Sequence, residues 1–402
     1  MSITDFDLSE TEDKLWNSNY IKVWSANFLM YFAFMLLTPL LPLYLRDTFG
    51  ADKQVIGLVL SGYALAALCI RPFSGYFVDS FPRKMMLLIF YGLTALFFGG
   101  YLAAGSLTLF AIVRMLHGAP FGATGVSLST IAIDVLPSSR RAEGIGYYGL
   151  SNNIATAISP GVAMFLFGKY HSYPMLFWLA FATAIAGVLL SYTIHPRVRE
   201  LELNKQPVSL DRFLMLRGWA PFITILTMAT AYSVVSTYVA IYGQERLGIT
   251  TGTGMFFTLF AIGLILSRLT GSRSLAKGLI IRNASLGLIV SLSGFVLFAS
   301  SPTIWAYYLS PFIIGLGNGH VWPAFQMIFI NMAPHSQRGT ANSTLLTAWD
   351  LGMGIGMFAG GALAEHFGYF PAFWTGVALY AGGVIFYFIY VRTYYNIHKL
   401  HD

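Results

Sequence analysis

The sequence predicts an all-α integral membrane protein, with twelve transmembrane helices in two pseudo-symmetric six-helix bundles. Three observations carry that prediction. Only 10% of the 402 residues are charged and 56% are hydrophobic, against about 25% charged in ordinary globular proteins, so most of the surface must face lipid. Twelve apolar runs, each near the ~20 residues a bilayer requires, fill almost the whole chain. One long polar interval divides them six and six, and part of the first half repeats in the second.

Bounded by charge, Pro or Gly, the runs of the first half are residues 22–45, 54–78, 85–104, 107–133, 142–167 and 172–195. Those of the second are 219–243, 251–271, 279–300, 303–331, 340–364 and 370–392. Residues 1–21 form a polar tail whose acids (Asp5, Asp7, Glu10, Glu12, Asp13) do not suit a cleavable signal, which starts basic. The first bundle covers 22–195 and the second 219–392. Between them, 196–218 reads as a linker rich in charge, with Arg197, Arg199, Glu200, Glu202, Lys205, Asp211, Arg212 and Arg217. Residues 393–402 form a short tail. Pro39, Pro42 and Pro160 fall inside spans and should bend them, since each removes a backbone hydrogen bond.

Basic residues fix the expected orientation. With both termini cytosolic, cytosolic segments hold 17 of the 24 Lys and Arg, and outer loops hold four: Arg46, Lys53, Lys169 and Arg246. The location that follows is the inner (plasma) membrane. The net charge of +7 is then a topological bias, and no basic soluble domain exists to bind nucleic acid. The halves repeat: residues 107–178 lie on 304–374 at an offset of 197 that closes to 196. Gly118 then meets Gly315, Gly122 meets Gly319, Pro137 meets Pro334, Arg141 meets Arg338, and Phe177-Trp178 meets Phe373-Trp374. Parallel six-span repeats place a substrate site between the halves near the midplane, and alternating access is what they perform.

Four segments resemble the major facilitator superfamily, in particular its twelve-span drug/proton antiporter branch. After span 2 comes Gly75-Tyr-Phe-Val-Asp79-Ser-Phe-Pro-Arg83-Lys84, like the family's first signature. Span 4 holds Arg114-Met-Leu-His-Gly118-Ala-Pro-Phe-Gly122, span 1 holds Phe32-Ala-Phe-Met-Leu-Leu-Thr-Pro39-Leu-Leu-Pro42, and span 5 holds Ser159-Pro160-Gly161. Span 5 departs from the antiporter pattern, with Ser159 where Gly precedes Pro. The resemblance implies that Gly75, Asp79, Arg83, Lys84 and Asp134 form a conformational latch favouring the outward-open form. Physics gives the same residues a role, because opposite charges at helix ends can bridge in one state only. The second half lacks the acid, reading Gly271-Ser-Arg-Ser-Leu-Ala-Lys277.

Of 17 Asp and Glu, Asp350 alone lies deep in a span, ten residues or about 15 Å in. A carboxylate there is functional by default, as a proton carrier or as the counter-charge of a cationic substrate. Arg114 is the basic counterpart, and the resemblance ties it to proton coupling. A free histidine titrates near physiological pH, and His117 and His320 join them as candidates. Arg71 and Arg268 end spans 2 and 8 and should snorkel to the cytosolic surface. Aromatic and amide residues on helices that line the family's cavity are Tyr31, Phe34, Asn152, Asn153, Tyr232, Tyr238, Trp322, Phe325 and Trp349. Such a lining suits a cationic, partly apolar guest.

No Walker loop, nucleophile–base set or metal spacing appears, and the single Cys69 excludes a disulfide framework. The chain therefore reads as a monomeric secondary transporter and not an enzyme, with no cofactor and a proton gradient as energy source. Efflux of small amphiphilic molecules is the expected function. An importer of a nutrient such as a sugar or organic acid is the alternative on the same fold, and a transport-inactive membrane sensor the alternative of another class.

Overall fold

The computed structural model describes residues 14–137, 140–195, 214–249, 252–334 and 338–400, and every regular element among them is helical. The first span is broken in two: α1 (Ser18–Leu37) stops before Pro39, and α2 (Leu40–Phe49) resumes after it. Then follow α3 (Lys53–Ser80), α4 (Arg83–Ala103), α5 (Leu107–Val135), α6 (Arg141–Tyr170) and α7 (Tyr173–Tyr192). The second half runs through α8 (Trp219–Leu247), α9 (Thr253–Ala276), α10 (Ile280–Ser300), α11 (Ile304–Asn331) and α12 (Arg338–His366). Its last span is α13 (Tyr369–Phe386), continued by a π turn into α14 (Arg392–His398). Nine of the described helices are long and apolar enough to cross a membrane, so the chain is a multi-pass membrane protein.

Local chemistry sets the helix ends. Asn17, Asp52, Ser106 and Ser172 each accept a hydrogen bond from the amide three residues on, satisfying a donor that the helix itself leaves free. Gly50 and Gly248 close α2 and α8 in the left-handed conformation, at φ 61° and 67°, which costs Gly nothing.

Close helix crossings extend the internal repeat beyond the aligned segment. Gly118 of α5 lies on α3, where an added Cβ would stand 2.1 Å from the Tyr63 carbonyl oxygen. Gly315 of α11 lies on α9, where it would stand 1.9 Å from the carbonyl oxygen of Phe260. Positions 63 and 260 differ by the same offset as 118 and 315. Gly122 and Gly319 repeat the relation, meeting Ala67 and Ile70 in one half and Leu264 and Ser267 in the other. Small residues at these crossings let backbones approach in lipid, where packing rather than hydrophobicity drives association.

The bundles meet through two symmetric helix pairs, α3 with α12 and α9 with α6. A Cβ on Gly57 would come 2.3 Å from the Met357 carbonyl oxygen, and one on Gly254 would come 2.5 Å from the Gly161 Cα. Thr258 donates to the Ala157 carbonyl at 2.8 Å, and Tyr238 to those of Met357 at 2.8 Å and Lys53 at 3.3 Å. Charges reinforce this end. Arg46 and Lys53 of the first half each stand 3.6 Å from Glu245 of the second, and Lys53 lies 3.8 Å from Glu365. Burial opposes the charge on Arg46, but the hydrogen bond to Asp47 and the charges of Asp47 and Glu245 outweigh it and raise its pKa. The bonds between the bundles thus gather at the end expected to face outward.

Gly57→Leu should therefore force that end apart, since the Met357 carbonyl is backbone and has little room to retreat. Spin labels at Lys169→Cys and Thr303→Cys in a Cys69→Ser background should report a longer principal distance in the variant. An unchanged distribution would mean that this seam does not hold the end closed.

Candidate functional site

One ion pair joins the bundles deeper in the membrane. Arg71 Nε bonds Asp350 Oδ2, with side-chain exposures of 14% and 15%. The expectation that Arg71 snorkels to the surface is thus corrected. Helix α3 continues to Ser80, nine residues or about 14 Å beyond Arg71. Asp350 lies twelve residues, about 18 Å, into α12 from the same side. The matching depths let each buried charge neutralise the other.

Aromatic rings frame the pair on both sides. In the first half Phe34 stacks on Tyr63 at 5.2 Å and packs on Phe121 at 4.7 Å, and Tyr31 meets Phe121 at 5.7 Å. In the second, Trp349 lies 5.6 Å from Tyr232 and 5.3 Å from Trp322. Five of the expected cavity aromatics therefore fall into two clusters on facing bundles. Two others do not belong there. Tyr238 is fully buried in the Lys53–Met357 seam, and Phe325 packs on Tyr387 inside the second bundle at 5.7 Å. Asn152 is held within the first bundle, accepting from Asn27 at 2.5 Å. Asn153, half-buried on the same helix, occupies the position that the repeat equates with Asp350.

Arg114 and His117 form a separate group, away from Asp350. Arg114 is 5% exposed; its Nη1 donates to Tyr101 Oη at 3.1 Å, and its guanidinium lies 4.2 Å from the Tyr63 ring and 5.5 Å from Phe34. Neither a carboxylate nor a backbone carbonyl satisfies it among the described residues. Its charge rests on ring faces instead, an arrangement worth about 2 kcal/mol or more when desolvated. His117 Nδ1 bonds Tyr101 at 2.8 Å. Arg114 Nε, His117 Nε2 and Tyr63 Oη find no hydrogen-bond partner among the described residues. His320 is apart from both groups, its Nδ1 2.8 Å from Asn283 Oδ1 on α10.

At the opposite end from the Glu245 cluster, Arg83 bonds Asp134. Both belong to the first bundle, so this bridge ties α4 to α5. Lys84 sits over the Tyr192 ring at 5.2 Å, which anchors it to α7. Gly75 and the side chain of Asp79 lie outside the described residues, as does that of Arg268. Sequence reasoning missed Arg71 as a site residue, although counting residues from the shared membrane face puts it near the depth of Asp350.

Two glycine-packed helical bundles, related by an internal repeat and joined among the described residues by a buried ion pair, define a major facilitator transporter. The chain belongs to the Major Facilitator Superfamily, whose family model matches residues 23–327 and 282–399. It is 27% identical to the quinolone resistance protein NorA of Staphylococcus aureus strain MRSA252, over 84% of this chain and 88% of that one. It is 23% identical to a staphylopine export protein of S. aureus strain Mu50, over 87% and 90%. Among solved structures, a peptide transporter POT with bound alafosfalin superposes over 100% of both chains at a TM-score of 0.78 and 14% identity. The nucleoside transporter NupG does so over 94% of this chain and 99% of its own, at a TM-score of 0.71 and 16% identity. These relatives are transporters, not enzymes.

Each single substitution in the Arg71–Asp350 pair strands one buried charge, whereas the double substitution removes both. The Arg71→Gln/Asp350→Asn protein should therefore melt above the temperature that adding the two single losses gives, with a coupling of roughly 0.5–3 kcal/mol. Strictly additive melting shifts would show that the two residues do not stabilise one another.

Proposed function

We propose that the chain is a proton-coupled exporter that moves small amphiphilic, cation-bearing molecules across the plasma membrane by alternating access. Both termini are cytosolic in this reading, the working unit is a monomer, and no cofactor is needed beyond the proton gradient. The observation that carries it is the ion pair between Arg71 on one bundle and Asp350 on the other. Asp350 can hold Arg71, a proton or a cationic guest. When a proton or a guest takes the carboxylate, Arg71 loses its partner across the seam, and the balance between conformations shifts by that differential interaction. In this reading the Glu245 end is joined on the outside and the site loads from the opposite, cytosolic end, as an exporter requires. The rings of Tyr31, Phe34, Tyr232, Trp322 and Trp349 offer flat apolar faces and cation–π attraction to such a guest. The export named for the staphylopine relative, and the quinolone resistance named for the other, support outward transport.

Asp350→Asn, reconstituted at equal folded amounts in proteoliposomes, should lose ethidium transport driven by a pH gradient by at least about tenfold, the equivalent of 1.4 kcal/mol. Full gradient-driven flux in that variant would overturn the coupling assignment. Accumulation of a sugar or organic acid, with ethidium not moved by the native chain, would instead establish the importer.

A further inference from the structure

Away from the interbundle seam, the second bundle holds a cleft of about 430 Å³ where α9 turns into α10, lined by Ser274, Lys277, Leu279, Arg282, Asn283, Leu286 and His320. The turn is fixed: Gly278 adopts φ +73°, and the amides of Gly278 and Leu279 bond the Leu275 and Ser274 carbonyls at 2.9 and 3.1 Å. Lys277 and Arg282 are exposed at its rim. Asn283 and His320, 2% and 5% exposed, form its back wall, with Asn283 Nδ2 donating to the His320 carbonyl at 3.1 Å.

The internal repeat shows what is unusual here. In the first half the corresponding turn balances its cations with acids, and Arg83 bonds Asp134. The offset of 197 replaces Asp79 by Ala276 and Asp134 by Asn331, so both acids are lost, while Arg83 and Lys84 fall on Ile280 and Ile281 and the turn's cations stand instead at Lys277 and Arg282. From Trp219 onward, the ends on this side carry Arg273, Lys277, Arg282, Arg338, Arg392 and Lys399 against Asp402 alone. Below the polar rim, Leu286 and Ile289 stand one above the other on α10, 50% and 54% exposed. Cations and small polar groups at the membrane boundary, with apolar side chains directly beneath, are complementary to a lipid that carries a negative head and an acyl chain.

We propose that this cleft binds the phosphate headgroup of an anionic phospholipid, with Lys277 and Arg282 on the phosphate oxygens and the acyl chain along Leu286 and Ile289. In the orientation proposed above the lipid belongs to the cytosolic leaflet. Binding in detergent does not depend on that orientation or on the transported substrate, so the two readings fail separately. The competing chemistry is an acid of the linker, Glu200, Glu202 or Asp211, which would occupy the cations and exclude the lipid.

Native mass spectrometry of the full chain, titrated with phosphatidylglycerol or with phosphatidylcholine of the same acyl chains, tests this. Phosphatidylglycerol should bind more tightly, and Lys277→Gln/Arg282→Gln should weaken it by about thirtyfold, as expected for two cations near the surface. Arg282→Gln alone should weaken it by about fivefold, which serves if the double variant folds poorly. Lys277→Arg/Arg282→Lys should retain binding. Equal affinity for the two lipids, or an unchanged affinity in the Gln variants, would overturn the site. Inorganic phosphate raising the melting temperature as much as phosphatidylglycerol would assign the cleft to a soluble anion and overturn the lipid.

Discussion

A charge held inside a bilayer must be paired or wet, and the contact between the bundles is arranged around one such pair. Arg71 and Asp350 can meet only because α3 and α12 run in close contact. That contact depends on glycine: Gly57 lies against the Met357 carbonyl, Gly361 against that of Lys53, and Gly354 near Ala64. The last of these lies four residues from Asp350, about one turn. The small residues come first in the causal order. They bring two backbones together in a solvent that offers no hydrophobic drive, and the ion pair then acts across the gap they leave.

The second charged group is linked to the first through α3. Tyr63, two turns from Arg71, presents its ring to Arg114 and its carbonyl to Gly118. Helices α3 and α5 are therefore locked as one body, and Arg114 with His117 and Tyr101 stays with the first bundle whatever the second does. Arg71–Asp350 and the Arg46–Lys53–Glu245–Glu365 cluster cross between bundles. In the proposed cycle a rocking motion would break the crossing bonds and spare the internal ones, which would separate residues that sense the change of state from those that hold a bundle's shape.

Much of this was legible in the sequence, because bilayer physics is restrictive. Span length, charge asymmetry and the six-plus-six division follow from hydrocarbon thickness and basic loops. Pro39 marked the break between α1 and α2, and the repeat of Gly118 at Gly315 marked matching crossings. Asp350 stood out as the one deep acid. Side-chain direction was not legible. Tyr238 and Phe325 sit on the expected helices but turn into packed seams, and a list of mid-span aromatics does not encode which stripe faces the partner bundle. Arg71 was misplaced because its distance from the nearest span end allows snorkelling, and only the facing helix shows that an acid lies at the same depth. The setting of Arg114 was not legible either: the ring faces of Tyr63 and Phe34 and the Tyr101 hydroxyl hold its charge and leave no motif.

The departures from symmetry localise the chemistry. The seam is built twice, once from α3 and α12 and once from α9 and α6, with Gly57 matched by Gly254. At the depth of the ion pair the offset of 197 equates Arg71 with Arg268 and Asp350 with Asn153. An arginine is kept in both arms, but the acid in only one. Asn cannot exchange a proton in this range and cannot neutralise a cation. Two acid pairs would have to be broken together before the seam could open, and each would hold the other closed. With one, occupancy of a single carboxylate decides whether the bundles are bonded at the midplane. In the proposed cycle the pseudo-symmetric scaffold supplies the motion, and the one asymmetric acid supplies its control.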